Sequence, residues 1–311
     1  MPERIGLLVG METSFPPAFL ERVNREPGVV AEYAKIGGTP AEGWKSPYRV
    51  IVDRISQEIP HYRMHLKAAA LSGTYVINDP HWWQSDDKFF GYSLAARLGV
   101  AVQRTVMLPQ KGYMERIDVR RSLRNLEFPL DWEAITKYVG FPAVLKPADG
   151  GGWRDVYIVK NWEELIRAYD LSGQLVMTLQ EFIDFDEYIR CICIGKDAIY
   201  PIKYDPKRRC YVHTPGGFLP KALEERIMSD ALKLNVALGY DMNSVEFAVR
   251  DGVPYAIDFT NPAPDMAKES VLEAHFDWCV DKMARLVIEA AKGQRKSPSR
   301  DHRFYKFVEG T

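Results

Sequence analysis

The chain has 311 residues, 46% of them hydrophobic, with 41 basic against 42 acidic side chains and a formal net charge of -1. That length supports two or three subdomains with cores of their own, and the charge balance excludes a bulk pull toward nucleic acid or an anionic membrane. No apolar run approaches the roughly 20 residues that cross a bilayer, and Met1-Pro2-Glu3-Arg4-Ile5-Gly6 leads into a strand with no signal-peptide apolar run. A cytoplasmic protein that binds neither membrane nor nucleic acid is expected. The four cysteines, Cys191, Cys193, Cys210 and Cys279, lack zinc-like spacing and read as buried reduced thiols.

In chain order, residues 5–9 form an apolar strand closed by Gly10. Residues 50–52 form a second strand, 59–71 a helix stopped by Ser72-Gly73, and 75–77 a third strand, so the first 80 residues predict a small parallel sheet. Asn78-Asp79-Pro80 ends it as a turn. Ser85-Asp86-Asp87 caps a helix that runs to Leu98 and stops at Gly99. The stretch 104–130 is polar and aperiodic, and its Arg116, Arg120, Arg121 and Arg124 form a solvated face. Strands over 143–146 and 157–159 flank Asp149-Gly150-Gly151-Gly152, and Asn161-Trp162-Glu163-Glu164 caps the next helix. The chain then turns strand-rich at 175–181, 188–194 and 198–203. A helix over 220–238 leads into a hairpin over 243–259, a final amphipathic helix covers 266–291, and the polar tail follows.

The chemistry starts at Lys146, which a short apolar strand delivers to the glycine loop. Glycines let backbone N–H groups approach phosphate oxygens with no side chain in the way. Here the lysine precedes the glycines, unlike a P-loop, and the glycines join two strands, unlike a dinucleotide fingerprint. The segment reads either as a flap over a nucleotide or as an ordinary hairpin turn. In the later hairpin, a three-residue loop Arg250-Asp251-Gly252 puts Glu246 and Asp258 on one face, whereas a two-residue loop puts them on opposite faces. Two carboxylates on one apolar face repel unless a cation relieves them. With Asn261 close behind, hard oxygen ligands for magnesium are set against two merely solvated carboxylates. Gln180-Glu181-Phe182-Ile183 ends a strand as a hinge whose backbone reads an adenine edge, with Glu187 one turn on to accept ribose hydroxyls. Arg190 faces away from Cys191 and Cys193, and Lys203 joins it from the next strand; taken alone, each of these charges reads first as a surface charge.

As a series, these segments resemble the ATP-grasp superfamily. Asp87-Lys88 with Leu98-Gly99-Val100 resembles its lysine-and-turn segment, and Val144-Leu145-Lys146-Pro147 its Val-x-Lys-Pro strand, with 149–152 as phosphate loop. Gln180-Glu181-Phe182-Ile183 resembles the adenine hinge and Glu187 the ribose acceptor. Ser244-Val245-Glu246-Phe247 and Ala256-Ile257-Asp258-Phe259-Thr260-Asn261-Pro262 resemble the two metal-ligand strands, the family's usual Glu-x-Asn being here Asp258-Phe259-Thr260-Asn261. The resemblance implies an α/β (α+β) ATP-grasp fold, in which two α+β subdomains clamp the nucleotide. A preATP-grasp domain covers 1–80, a small subdomain with its linker helix and glycine loop 81–178, a large subdomain with the metal site 179–292, and the tail 293–311.

The layout is most similar to D-alanine–D-alanine ligase, glutathione synthetase and the ribosomal protein S6 glutamate ligase group, which join a carboxylate to an amine. It implies an ATP-dependent ligase that works through an acyl phosphate and releases ADP and phosphate. ATP falls to Lys88, Lys146, Gly150, Gly151, Gly152, Glu181, Phe182, Ile183 and Glu187. A pair of magnesium ions, replaceable by manganese, falls to Glu246, Asp258 and Asn261, and catalysis to Arg190 and Lys203. A small-molecule or peptide carboxylate and amine meet Glu12, Ser14, Arg54, Arg208 and His213. Homodimers are common among such relatives. The alternative is an ATP-grasp kinase or a nucleotide-binding regulatory protein with no chemistry of its own.

Overall fold

In the computed structural model, the first apolar run is β1 (Glu3–Leu8), in which Ile5 and Leu7 are almost wholly buried. α1 (Phe15–Asn24), β2 (Val29–Tyr33), β3 (Val50–Asp53), α2 (Pro60–Leu71) and β4 (Tyr75–Ile77) follow. The four strands form an all-parallel sheet in the order β2-β1-β3-β4, with Ile5 opposite both Ala31 and Val50. Val50, Ile51 and Val52 are buried on both faces, which is why that segment reads as a continuous apolar run. The sequence reading lacked α1 and β2. Phe15-Pro16-Pro17 looks like a turn, yet prolines suit a first helical turn because its N–H groups need no intrahelical acceptor. Phe15, Phe19 and Val23 recur every four residues and are fully buried, each contributing about 1.5–3 kcal/mol.

The structure describes residues 1–82, 87–150, 154–214 and 217–308. It divides into one unit of 1–86, 187–247 and 258–311 and another of 87–186 and 248–257.

The second unit opens on Asp87, whose carboxylate accepts from the Phe90 N–H at 2.6 Å and caps α3 (Lys88–Arg97). Then come β5 (Thr105–Leu108), α4 (Val119–Ser122), α5 (Trp132–Val139), β6 (Ala143–Pro147), β7 (Tyr157–Val159), α6 (Trp162–Leu171) and β8 (Met177–Glu181). The sheet is antiparallel in the order β5-β8-β6-β7. One face packs Ala143, Leu145, Met177 and Leu179 against Leu165, Ala168 and Tyr169. Alternation therefore sends Lys146, Thr178 and Gln180 to the other face. β5 and α4 lie where the sequence looked aperiodic, and α5 lies just beyond it, where the sequence reading placed no element. β5 buries Leu108 alone of its four residues, so it leaves almost no hydrophobic signal.

β9 (Glu187–Ile194), β10 (Ala198–Asp205), β11 (Cys210–Tyr211), α7 (Lys221–Leu238), β12 (Met242–Arg250) and β13 (Val253–Asp258) come next, in the sheet order β11-β10-β9-β12-β13. The predicted last helix is divided. α8 (Lys268–Val271) is separated from α9 (Glu273–Ala291) by Leu272, which adopts a left-handed φ of 68°. α9 packs on α1, β1, β3 and β9, burying Phe276, Cys279, Met283, Leu286 and Val287. A 3-10 turn (Pro298–Asp301) and α10 (Tyr305–Val308) end the described chain. Cys191, Cys193 and Cys279 are buried as expected, but Cys210 is exposed on the short β11. No helix among the described residues is long and apolar enough to cross a membrane.

Candidate functional site

In the unit of 87–186 and 248–257, Lys146 is aimed by its neighbours. Its Nζ donates to the Tyr92 hydroxyl at 2.9 Å and reaches the Ile257 carbonyl at 3.4 Å, while Tyr92 donates to the same carbonyl at 2.7 Å. A tyrosine from α3 thus fixes the direction of a lysine from β6. The Lys88 N–H donates to the Ala148 carbonyl at 3.0 Å, which seats the first residue of α3 beside the start of the glycine loop. Gly150 has a φ of 97°, a left-handed value that suits glycine, and its N–H is held by the Asp149 carboxylate at 2.7 Å. Gly151 and Gly152 lie outside the described residues.

At the hinge, the Glu181 carboxylate accepts from Arg104 at 2.9 Å and Arg250 at 3.1 Å. Burial raises its pKa, but the bonds from the two arginines outweigh that and hold it below the usual carboxylate value. Its N–H donates to the Arg104 carbonyl and that of Phe182 to the Pro142 carbonyl, and Ile183 is buried. A depressed carboxylate contributes stability that is full above its unfolded pKa of 4.5 and lost as pH falls through the lower folded value. Glu181→Gln should therefore cost about 1 kcal/mol near neutral pH, with the gap from wild type closing below pH 4.5. Chemical denaturation across that range measures it.

In the other unit, the Glu246 carboxylate on β12 is held from β9. The Tyr188 hydroxyl donates to one oxygen, and Arg190 Nη2 lies 2.7 Å from the other. The Arg190 guanidinium stacks 3.8 Å from the Tyr204 ring centroid and bonds the Tyr211 hydroxyl. Its Nε is buried with no hydrogen-bond partner among the described residues. Burial, followed by the Glu246 charge, pushes the Tyr188 pKa well up, and the Asp258 charge adds to the rise. Burial disfavours the Arg190 cation, but Glu246 and the tyrosines raise its pKa on balance.

The hairpin loop corrects the sequence reading. β12 ends at Arg250 and β13 starts at Val253, leaving the two residues Asp251 and Gly252 at φ 53° and 73°, the signs of a type I′ turn. Regular pairing would then put Glu246 and Asp258 on opposite faces. The Ala256 N–H donates to the Ala101 carbonyl, and the Ile257 carbonyl accepts from Tyr92 and Lys146. The Asp258 charge lies near enough to Tyr188 to add to the rise in its pKa. Asn261 Nδ2 donates to Ser244 Oγ at 3.1 Å, and Ser244 shares its β12 face with Glu246.

Tyr188 feels the charges of both Glu246 and Asp258, and Asn261 is tied to Ser244 beside Glu246, although the two-residue loop does not put the two carboxylates on one face as the sequence reading expected. Among the described residues no three His, Cys, Asp or Glu side chains gather as a metal-binding group. A cation would be held by two carboxylates and one amide. That donor set fits magnesium: Tyr188 and Arg190 leave further lone pairs on Glu246, and Ser244 takes the Asn261 nitrogen, which would leave its oxygen available to a cation.

Lys203 does not join Arg190. β10 pairs Lys203 with Ile189 and Ile202 with Arg190, so Lys203 lies on the face of the Cys191 and Cys193 thiols, where it approaches the Glu187 carboxylate to 2.7 Å. Arg54 and Glu12 also depart from expectation. Arg54 is 5% exposed, donates to Glu12 at 2.7 Å and to the Pro264 carbonyl at 2.7 Å, and lies 4.9 Å from the Phe15 ring centroid. Each answers the other's charge, in place of the substrate carboxylate and amine expected for them. Ser14 Oγ donates to Glu269 and accepts from the Lys268 N–H. Arg208 is exposed beside Asp205, and His213 lies near enough to His275 to act, after burial, in lowering its pKa.

The sequence reading missed Tyr92, Tyr188, Tyr204 and Ser244. For two of them a signal existed: Tyr188 and Ser244 stand two residues before Arg190 and Glu246, on the same faces.

No family model matches the chain. A D-alanine–D-alanine ligase A from Bacillus cereus is 28% identical over 204 residues, covering 56% of this chain. The match spans 65% of that relative's length. The crystal structure of a D-alanine–D-alanine ligase from Bacillus anthracis complexed with ATP aligns with a TM-score of 0.61 at 18% identity, covering 93% of this chain and 96% of that one. A RimK domain protein ATP-grasp from Sphaerobacter thermophilus aligns at 0.63 with 16% identity, covering 92% and 99%. The chain has the ATP-grasp fold, and over 56% of its length it is similar in sequence to a D-alanine–D-alanine ligase.

Proposed function

We propose that this protein is an ATP-dependent ligase that joins a carboxylate to an amine through an acyl phosphate. The observation that carries the reading is the Glu246 neighbourhood, where Glu246 pairs with Arg190, the Asp258 charge reaches Tyr188, Asn261 bonds Ser244, and the buried Arg190 Nε has no hydrogen-bond partner among the described residues. Lys88, Lys146 and the loop from Gly150 through Gly151 and Gly152 neutralise the triphosphate. The backbone at Glu181, Phe182 and Ile183 takes the adenine edge. Glu187, steadied by Lys203, accepts the ribose hydroxyls. Glu246, Asp258 and Asn261 would hold a pair of magnesium ions, replaceable by manganese, which when bound would supply neutralising charge to the triphosphate.

A carboxylate oxygen of the first substrate attacks the γ-phosphorus, and ADP leaves with the electrons of the broken P–O bond. The amine lone pair then attacks the acyl carbon, phosphate leaves, and the nitrogen loses a proton to give the amide. Arg190 Nε donates to the transferred phosphoryl group and to the oxyanion that follows. The substrates are a small-molecule or peptide carboxylate and amine; because the Bacillus cereus relative is named a D-alanine–D-alanine ligase, D-alanine belongs in the first pool.

The test is ADP and phosphate release from Mg-ATP against pools of D- and L-amino acids and dipeptides. Release that requires a carboxylate and an amine together is expected. Phosphate transfer with no amine requirement would point to a kinase, and magnesium-dependent ATP binding without turnover to a regulatory protein; either result overturns the ligase reading.

A further inference from the structure

In the unit of 87–186 and 248–257, the sheet face that carries Lys146 holds a further set of polar groups. Register puts Thr105, Gln180 and Val144 in one row across β5, β8 and β6, with Thr178 and Lys146 in the next row. Val144 is half-buried, so the row offers a small apolar floor with an amide at its edge. Gln180 is 1% exposed, and Gln103, which leads into β5, is 5% exposed.

The bonds among these groups run in one direction. The Thr105 hydroxyl has a single proton and donates it to the Gln103 backbone carbonyl at 3.0 Å, so toward Gln180 its oxygen only accepts. Gln180 Nε2 donates to it at 2.9 Å, which turns Gln180 Oε1 to accept from Gln103 Nε2 at 3.3 Å. Gln103 Oε1 ends the series, buried and with no hydrogen-bond partner among the described residues. Reversing both amides would forfeit the bond to the Gln103 carbonyl, so the orphan atom is an acceptor. Nearly all buried polar atoms are answered by a partner, and an acceptor left over beside a ligand face asks for a ligand N–H.

We propose that Gln103 selects the base of the nucleotide, its Oε1 accepting from the 6-amino group of adenine. The purine lies on Val144, with its polar edge toward the two glutamines and its phosphates toward Lys146 in the next row. Hypoxanthine and guanine carry an oxygen at position 6, which would meet the Gln103 oxygen with no proton between them. Selection therefore works by repulsion as well as attraction. The inference rests on the proposed placing of adenine at the backbone of Glu181, Phe182 and Ile183. It adds a side chain outside that hinge that decides which purine enters.

The test is calorimetric binding of Mg-ATP and of purine riboside triphosphate, which lacks only the 6-amino group, to the full chain. Gln103→Met keeps the side-chain length and removes the acceptor. It should weaken ATP about tenfold, the usual worth of one hydrogen bond, and leave purine riboside triphosphate nearly unchanged. Gln103→Glu keeps an acceptor at the same reach and should hold the wild-type preference for ATP. Equal weakening of both nucleotides in Gln103→Met would mean that Gln103 only supports the strand, and overturns the proposal. So does a preference for ATP that Gln103→Met leaves unchanged or that Gln103→Glu loses. If wild type binds neither nucleotide, the nucleotide reading falls and base selection with it; if it binds both and only the preference fails to move, base selection falls alone.

Discussion

Lys146→Ala should lower ADP release by about a hundredfold or more while leaving the thermal midpoint near that of wild type. One preorganised charge aimed at a transferring phosphoryl group is typically worth about 10²–10³ in rate. Lys146 is aimed in this sense: a tyrosine hydroxyl at 2.9 Å and a carbonyl at 3.4 Å hold the ammonium. The same geometry predicts a graded partner. Tyr92→Phe removes the hydroxyl that links Lys146 to the Ile257 carbonyl but keeps the ring and the lysine charge. Its loss in turnover should be smaller than that of Lys146→Ala, with most of the effect in kcat, because a loosened cation still attracts the triphosphate. Steady-state kinetics on both variants measures the pair. Full turnover in Lys146→Ala would remove this lysine from the reaction.

Glu246 should show a different signature, because it serves structure and chemistry together. Glu246→Ala takes the shared acceptor from Tyr188 and leaves Arg190, whose side chain is 19% exposed, with no carboxylate opposite. Breaking such a pair on one side costs about 3 kcal/mol, mostly the penalty of the stranded charge. Metal-dependent turnover should be lost as well. Glu246→Gln keeps an oxygen to accept from Arg190 or Tyr188, so its stability loss should be smaller while turnover stays lost. Chemical denaturation and ADP release on the two variants separate the roles. Equal turnover in Glu246→Gln and wild type would contradict a ligand role. Tyr188 adds a pH signature. Its raised pKa makes its contribution to stability full below pH 10, the unfolded value, and lost as pH rises through the folded value. Tyr188→Phe should flatten that alkaline decline.

The parts of the fold that hydrophobic patterns announce were legible in the sequence: three of the four parallel strands, the long helix α7, and the β6 strand carrying Lys146. The missing parts have physical reasons. β5 buries little, and α1 begins on a proline pair that is helix-compatible only at a first turn. Within the site, residue types were legible and pairings were not. Lys203 looked like a partner for Arg190 because alternation fixes faces within one strand but not the register between two. Arg54 and Glu12 looked like substrate groups because nothing local says that two opposite charges 42 positions apart meet each other. Glu246 and Asp258 were grouped through a three-residue loop, whereas the loop has two residues, and regular pairing across it puts the two carboxylates on opposite faces. A pattern of side chains does not fix the length of a turn.

The central claim is that a carboxylate oxygen of the substrate receives the γ-phosphoryl group, and an isotope label tests it most directly. An amino-acid and dipeptide pool carrying oxygen-18 in its carboxylates is turned over with Mg-ATP, and the released phosphate is examined by mass spectrometry. The acyl-phosphate route predicts one labelled oxygen in each phosphate released with ADP. Unlabelled phosphate, or label in AMP, would contradict it.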